Sequence, residues 1–345
     1  MNQLTSNFRL RTPVLCGAAA VFLLTAALKA DTAYGFQTLN NSADPAFNQL
    51  LGVNNSGVIA GYFGDGAVNP NKGYTLAPPY TQASYTNENF PGSSQTQVTG
   101  LNNGSAPVTA GFWVDGTGDN FGFVKQGNNF IQVNNPNTPS PAGGAATFNQ
   151  LLGINDNNVA VGFYQDAGGN FHGYTYNVAT AVFTAITPGN AVSTTATGIN
   201  NGGWISGFYT DGGGTQHGFI DENGNFVTLD DPNGSNTSFF GLNNKGQAVG
   251  TFVDANDRTN GFLYDATMNT WQTIDDPLAS ANAAFGFSGS ALNGINDKGQ
   301  LVGFYSDGAN VNGFLATPTP EPASMALAGL GAALVLFARK KIYKG

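Results

Sequence analysis

Six aspartates close the same short pattern, Gly-x-[Phe/Tyr/Trp]-x-Asp, and they are the first residues of this chain to invite a chemical reading. They are Asp65, Asp115, Asp166, Asp211, Asp254 and Asp307. A carboxylate repeated at one place per unit can do two things. It can offer oxygen to a hard cation such as calcium, or it can cap its own turn by accepting backbone N–H groups two residues on. Like charges spaced on the order of 10 Å apart lie about a Debye length from one another at physiological salt, so no metal is required to hold them together. Capping is therefore the expected role, with calcium the one cofactor to weigh and no metal otherwise assigned. His172 and His217 are the only histidines and occupy matching places in adjacent units. No third nitrogen or sulfur ligand lies between them, so they read as polar strand-edge residues rather than a zinc site. Glu88, Asp119, Glu222 and Asp257 break the repeat but fall in different units, with no aromatic or basic cluster around any of them in the sequence. The acid–base pair that glycoside cleavage needs is not expected. An EF-hand loop, a P-loop and a Gly-x-Ser-x-Gly elbow are absent as well, so no catalytic residue is assigned.

The elements that must position these residues are themselves repeated. Gly-[Val/Leu/Ile]-Asn-[Asn/Asp] begins at Gly52, Gly100, Gly153, Gly198, Gly241 and Gly294, and each copy is followed by the aspartate pattern. A third element follows as Gly73-Tyr74, Gly122-Phe123, Gly173-Tyr174, Gly218-Phe219, Gly261-Phe262 and Gly313-Phe314; a looser strand such as Phe226 to Leu229 comes fourth. These pieces are short, rich in β-branched and aromatic residues, and separated by Asn- and Gly-containing turns, which marks antiparallel hairpins. With 48 glycines, 12% aromatic and 41% hydrophobic residues, the chain can order many short strands. Units of this length, apolar on both faces, predict an all-β fold: a six-bladed β-propeller of four-stranded antiparallel blades. The units fall near 47–90, 95–136, 147–187, 194–232, 236–277 and 288–315. The last lacks a fourth strand, and Phe36-Gln37-Thr38-Leu39 has the pattern to supply it, closing a ring over 34–315. The turns after second and fourth strands share one end of such blades, so the six aspartates should sit beside the loops carrying Asp230-Asp231 and Asp275-Asp276, on the default binding face.

Both ends of the chain read as export signals. Arg9 and Arg11 precede an uncharged, mostly apolar stretch from Pro13 to Leu28, so residues 1–30 are expected to form a signal helix, cleaved after Ala27 or Ala30. The only cysteine, Cys16, lies within it, leaving the exported body with neither disulfide nor thiol. At the other end a linker over 316–322 carries Pro320-Glu321-Pro322. An apolar run from Ala323 to Ala338 follows, and then a basic stop at Arg339, Lys340 and Lys341. Sixteen helical residues reach about 24 Å, a short transmembrane helix that the basic residues extend by snorkelling. Triplet, apolar run and basic tail in this order resemble the PEP-CTERM sorting signal of Gram-negative bacteria. The resemblance implies recognition by an exosortase-type processing protease, membrane insertion over 323–345 before processing, and then the cell surface or extracellular matrix.

The repeats are also similar to the HAF family of bacterial extracellular repeats, through the Gly-Ile-Asn-x-x-Gly-x-x-x-Gly-x-Tyr and His-Gly-Phe positions. The similarity spans residues 47 to 315, and the histidine of the third element survives only at His172 and His217. It implies location and repeat type rather than chemistry. The chain carries net charge −9, and seven of its 12 basic residues lie in the two ends, leaving Lys72, Lys125, Lys245, Arg258 and Lys298 against nearly all of its acids. So acidic a body repels phosphate backbones, which argues against nucleic acid as a partner. The leading expectation is an exported, non-catalytic module, structural or in contact with extracellular polysaccharide. A secreted polysaccharide hydrolase or lyase on the same scaffold is the alternative. An ice-binding protein ranks behind both, since irregular blades lack flat threonine arrays.

Overall fold

The computed structural model describes residues 31–139 and 147–319. The expected signal helix, the Pro320-Glu321-Pro322 triplet and the transmembrane tail lie outside the described residues. Among the described residues no helix is long and apolar enough to cross a membrane.

The chain forms six four-stranded antiparallel sheets. After β1 (Tyr34–Thr38) come β2 (Asn48–Val53), β3 (Ile59–Phe63), β4 (Lys72–Leu76) and β5 (Tyr85–Asn87), which make blade 1. Blade 2 is β6 (Gln95–Leu101), β7 (Thr109–Val114), β8 (Asn120–Gln126) and β9 (Asn129–Val133). Blade 3 is β10 (Asn149–Ile154), β11 (Val159–Gln165), β12 (Phe171–Asn177) and β13 (Val182–Ile186). Blade 4 is β14 (Ala191–Ile199), β15 (Ile205–Asp211), β16 (Gln216–Asp221) and β17 (Phe226–Leu229). Blade 5 is β18 (Ser235–Leu242), β19 (Gln247–Val253), β20 (Thr259–Asp265) and β21 (Thr270–Thr273). Blade 6 takes β22 (Ser290–Ile295), β23 (Leu301–Ser306) and β24 (Val311–Pro318) from the end of the chain and β1 from its beginning. The sheets are the blades of a six-bladed propeller whose first strands line the axis, as the sequence predicts.

The seam follows the expected route, with one difference. β1 pairs with β24 from Tyr34↔Pro318 to Thr38↔Phe314, and Thr319 N–H still donates to the Ala33 carbonyl at 2.8 Å. Residues 316–318, expected in the linker, are therefore strand, because Tyr34, Gly35 and Phe36 supply them with ladder partners. β1 thus covers the edge that β24 would otherwise expose and completes the last blade to four strands.

The motif glycines mark close approach more than turns. A Cβ on Gly162 would lie 2.0 Å from the Gln150 carbonyl oxygen, and Gly61, Gly111, Gly207, Gly250 and Gly303 meet the first strand of their own blades in the same way. The first strand of these blades carries a register shift there, between Leu151 and Gly153 in blade 3. The glycines of the first element pack around the axis: a Cβ on Gly100 would lie 2.9 Å from Gly153 Cα, and one on Gly294 2.9 Å from Gly52 Cα. Next to each third-element glycine stands a fully buried aromatic, Tyr74, Phe123, Tyr174, Phe219, Phe262 or Phe314. At about 1.5–3 kcal/mol for each large apolar side chain removed from water, these six anchors contribute much of what fastens the sheets. The apolar clusters mix adjacent blades, as where Val249 and Leu263 of blade 5 pack with Leu292 and Leu301 of blade 6.

Candidate functional site

Strand direction sorts the connections into two ends. The hairpins between second and third strands, together with the links from blade to blade, share one end. The hairpins between first and second strands and those between third and fourth share the other. All six pattern aspartates fall in hairpins of the first kind, beside Asp230-Asp231 and Asp275-Asp276, as expected.

Each of the six holds its own turn through Oδ1. Asp65 accepts from Ala67, Val68 and Asn69 N–H at 3.0, 2.8 and 2.8 Å. Asp115 accepts from Thr117 N–H and Oγ1, both 2.7 Å, and from Asp119 N–H at 3.1 Å. Asp166 accepts from Gly168 and Asn170 at 2.8 and 3.0 Å, and Asp211 from Gly213 and Thr215 at 2.9 Å each. Asp254 accepts from Asn256 and Arg258 at 2.8 and 3.0 Å, and Asp307 from Ala309 and Asn310 at 2.8 and 2.7 Å. Donors aimed at the ionised form lower a carboxyl's pKa. The largest single cause is the Asn69 N–H at Asp65, the Thr117 hydroxyl at Asp115, the Thr215 N–H at Asp211 and the Arg258 N–H at Asp254. At Asp307 partial burial opposes the shift, and the Asn310 and Ala309 donors outweigh it.

Two of the hairpins carry histidine. His172 Nε2 lies 2.8 Å from Asp166 Oδ2, and this bond is the largest cause holding the Asp166 carboxyl at about 2. His217 places Nδ1 2.8 Å from Asp230 Oδ2 and Nε2 3.5 Å from Asp211 Oδ2. The Asp230 bond raises its pKa above the ordinary value, with Asp211 adding to it against partial desolvation. The imidazoles lie over Tyr164 and Tyr209 at centroid distances of 5.1 and 5.2 Å. Among the described residues, no three His, Cys, Asp or Glu side chains converge closely enough to hold a metal ion.

The carboxylates that break the repeat stay apart, but one has surroundings the sequence did not show. Glu88 is buried between blades 1 and 2, with Lys125 Nζ at 2.5 Å and Thr75 Oγ1 at 3.2 Å. The same ammonium lies 5.4 Å from the centroid of Phe130, so a basic and aromatic environment exists at Glu88, formed by the neighbouring blade. Asp119 is buried and accepts from Thr147 N–H at 2.6 Å, Glu222 lies in the β16–β17 hairpin and Asp257 in the Asp254 turn. Burial raises the carboxyls of Asp231, Asp275 and Asp276 in the links. Asp275 Oδ1 nonetheless accepts from Gly261 N–H at 2.9 Å, with the Arg258 guanidinium 3.8 Å from its other oxygen. Near these loops stands Phe285, 52% exposed and edge-on to Phe47 at 5.4 Å.

The opposite end holds an arrangement the sequence reading missed. The first Asn of each Asn-[Asn/Asp] pair donates its side-chain amide to the next blade: Asn155 to the Asn200 carbonyl, Asn200 to Asn243, Asn243 to Asn296 and Asn296 to Asn54, at 2.8 to 3.2 Å. Asn54 reaches Asn102 in the same way, and only Asn102 departs, bonding to the Asn158 side chain. The second residue of the pair closes another ring. Backbone N–H groups of Asn55, Asn103, Asp156, Asn201, Asn244 and Asp297 each donate to the side-chain oxygen of the next member, and Asp297 returns to Asn55 at 2.8 Å. Asp156 also accepts the amides of Asn103 and Asn201, and Asp297 those of Asn55 and Asn244. Burial pushes the Asp297 carboxyl up, but these amide donors more than offset it and leave it lowered. The rings surround a cavity of about 90 Å³ on the axis; a second of about 80 Å³ lies beyond the glycines. The signal was present in the sequence as an Asn-[Asn/Asp] doublet kept in all six units, where the turn itself needs only the first residue.

Comparison with known proteins gives three results. Residues 318–341 match the PEP-CTERM protein-sorting motif, so the end of the chain carries a C-terminal sorting signal of exported proteins. No curated protein matches the chain. Among solved structures, the SapL1 lectin in complex with alpha methyl fucoside is similar at 10% identity and a TM-score of 0.46, covering 80% of this chain and 96% of the lectin. The Aleuria aurantia lectin, described as a six-bladed beta-propeller, is similar at 14% identity and 0.47, over 81% of this chain and 96% of that one. Trypanosoma rangeli sialidase follows at 9% and 0.47, over 84% of this chain and 60% of the enzyme. Likeness at this level concerns the fold and says nothing of a ligand.

Proposed function

We propose that this chain is a non-catalytic propeller of the cell surface or extracellular matrix of a Gram-negative bacterium. An exosortase-type protease would read Pro320-Glu321-Pro322, and the exported ring would serve as a structural or polysaccharide-contacting module. The observation that carries the reading is the sorting motif starting at residue 318, where the last strand of a closed ring ends. The contacting face is the one that bears the hairpin aspartates. It offers carboxylates and amides for sugar hydroxyls, and in Phe285 an exposed aromatic ring on which a pyranose face can stack. The six aspartates are taken as turn caps rather than calcium ligands, because every Oδ1 is already engaged by its own turn.

Catalysis on glycans is kept as a second reading for one reason: Asp275 and Asp276 have carboxyls raised by burial, the property a general acid requires. One experiment separates the two. The purified body is incubated with a panel of bacterial polysaccharides, and both co-sedimentation and new reducing ends are measured. The proposal expects retention by at least one polysaccharide, weakened by Phe285→Ala, with no new ends. New ends that disappear in Asp275→Asn would establish the enzyme instead, and no retention by any polysaccharide would leave only the structural role.

A further inference from the structure

Both ends of the folded ring leave it at one place. Tyr34, the first residue of β1, pairs with Pro318, the last of β24, and Thr319 donates to the Ala33 carbonyl. Thr32 is tied to β21 of blade 5, its N–H to Gln272 Oε1 at 3.2 Å and its carbonyl to Gln272 Nε2 at 2.8 Å. Pro318 lies against the first hairpin of blade 6, since a Cβ on Gly299 would come within 3.3 Å of Pro318 Cγ. That hairpin belongs to the asparagine rings, so the chain enters and leaves on the asparagine-ring side, at the rim of blade 6.

Chain length then limits what the ring can do while its tail is anchored. Four residue steps separate Thr319 from Ala323, the first residue of the apolar run, which is about 14 Å at full extension. The strands of blade 6 have six to eight residues, about 20–27 Å from end to end. The connection is too short to pass along the blade to the opposite side.

We infer that, while the tail is in the membrane, the propeller stands with its asparagine-ring side toward the lipid surface and its hairpin-aspartate side outward. The inference rests on the sorting reading proposed above. Charge is unequal in the same sense. The hairpin-aspartate side gathers the six turn carboxylates and those of the two Asp-Asp links against Lys72 and Arg258, whereas the asparagine-ring side holds fewer, Asp156, Asp221, Glu222, Asp265 and Asp297, together with Lys245 and Lys298. A blade height exceeds the Debye length of about 8 Å at physiological salt, so in this orientation the acidic side is screened from anionic headgroups; inverted, it would press against them. Before release, the surroundings therefore meet the aspartate hairpins and Phe285.

The test uses the full chain with Pro320, Glu321 and Pro322 replaced by alanine and Cys16→Ser, carrying a single fluorophore-labelled cysteine at Ser56→Cys or at Val68→Cys. Ser56 is exposed in the asparagine-ring turn of blade 1, and Val68 is exposed in the aspartate hairpin of the same blade. In membranes containing headgroup spin-labelled lipid, the label at residue 56 should be quenched several-fold more than that at 68. Asn128→Cys and Ala255→Cys, exposed on the two sides of other blades, repeat the comparison if either first variant melts below the parent. Equal quenching, or stronger quenching on the aspartate side, overturns the inference while leaving the sorting reading intact. A protein recovered wholly in the soluble fraction overturns both.

Discussion

At the scale of residues, turn capping is by itself a sufficient reason for one carboxylate to recur six times. Asparagine caps such a turn almost as well as aspartate but is a poor calcium ligand. A variant with Asp65, Asp115, Asp166, Asp211, Asp254 and Asp307 all changed to Asn should keep its melting temperature in chelator to within a few degrees. Calcium should raise the melting temperature of neither form; a rise in the parent that the variant loses would make the aspartates calcium ligands. His217 gives a prediction of pH dependence. Its pKa is raised in the fold by Asp230 first and Asp211 second, so the stability these bonds contribute is fully present below about pH 6.5, the unfolded value. That contribution fades as pH rises through the higher folded value. Following the imidazole by NMR should show a midpoint above 6.5 in the parent and a lower one in Asp230→Asn; an unchanged midpoint would mean that the Asp230 contact does not form in solution.

At the scale of elements, the strands, hairpins and seam were legible because their causes are local. Alternating β-branched and aromatic residues, Asn- and Gly-bearing turns and a last unit one strand short are all visible along the chain. What escaped depended on partners brought together only when the ring closes. Asn55 meets Asp297 from 242 positions away, and Lys125 of β8 covers Glu88 beyond the end of β5. The extension of β24 to Pro318 was hidden for the same reason, since its partner is at the other end of the sequence. The close approaches that require the motif glycines were not legible either, because the atoms they meet belong to other strands. β1 itself yields a direct prediction. Deleting residues 34–40 removes the outer strand of blade 6, the Phe36–Phe314 ring contact at 5.5 Å and buried Leu39. The loss should be at least about 3 kcal/mol, as for removal of a large buried side chain, read as a lower denaturant midpoint. Melting like the parent would mean that the ring does not depend on this seam.

At the scale of the whole molecule, one closed ring of hydrogen bonds through the second residues of the Asn-[Asn/Asp] pairs, the blade-to-blade amide bonds of the first residues and a shared sixth blade make one body of the repeats, from which the sorting signal emerges directly. Such a body gives the tail no long tether, so its processing should be governed by the triplet and the apolar run alone. That this is an exported ring sorted through Pro320-Glu321-Pro322 is the proposal on which the rest depends. It is tested most directly by fractionating cells that make the parent or the variant with all three residues changed to alanine, and by measuring the intact mass of the protein in each fraction. The parent should be recovered outside the inner membrane, shortened by its C-terminal tail, and the variant should stay in the membrane at the unprocessed mass. Processing of the variant to the same mass and location as the parent would contradict the claim.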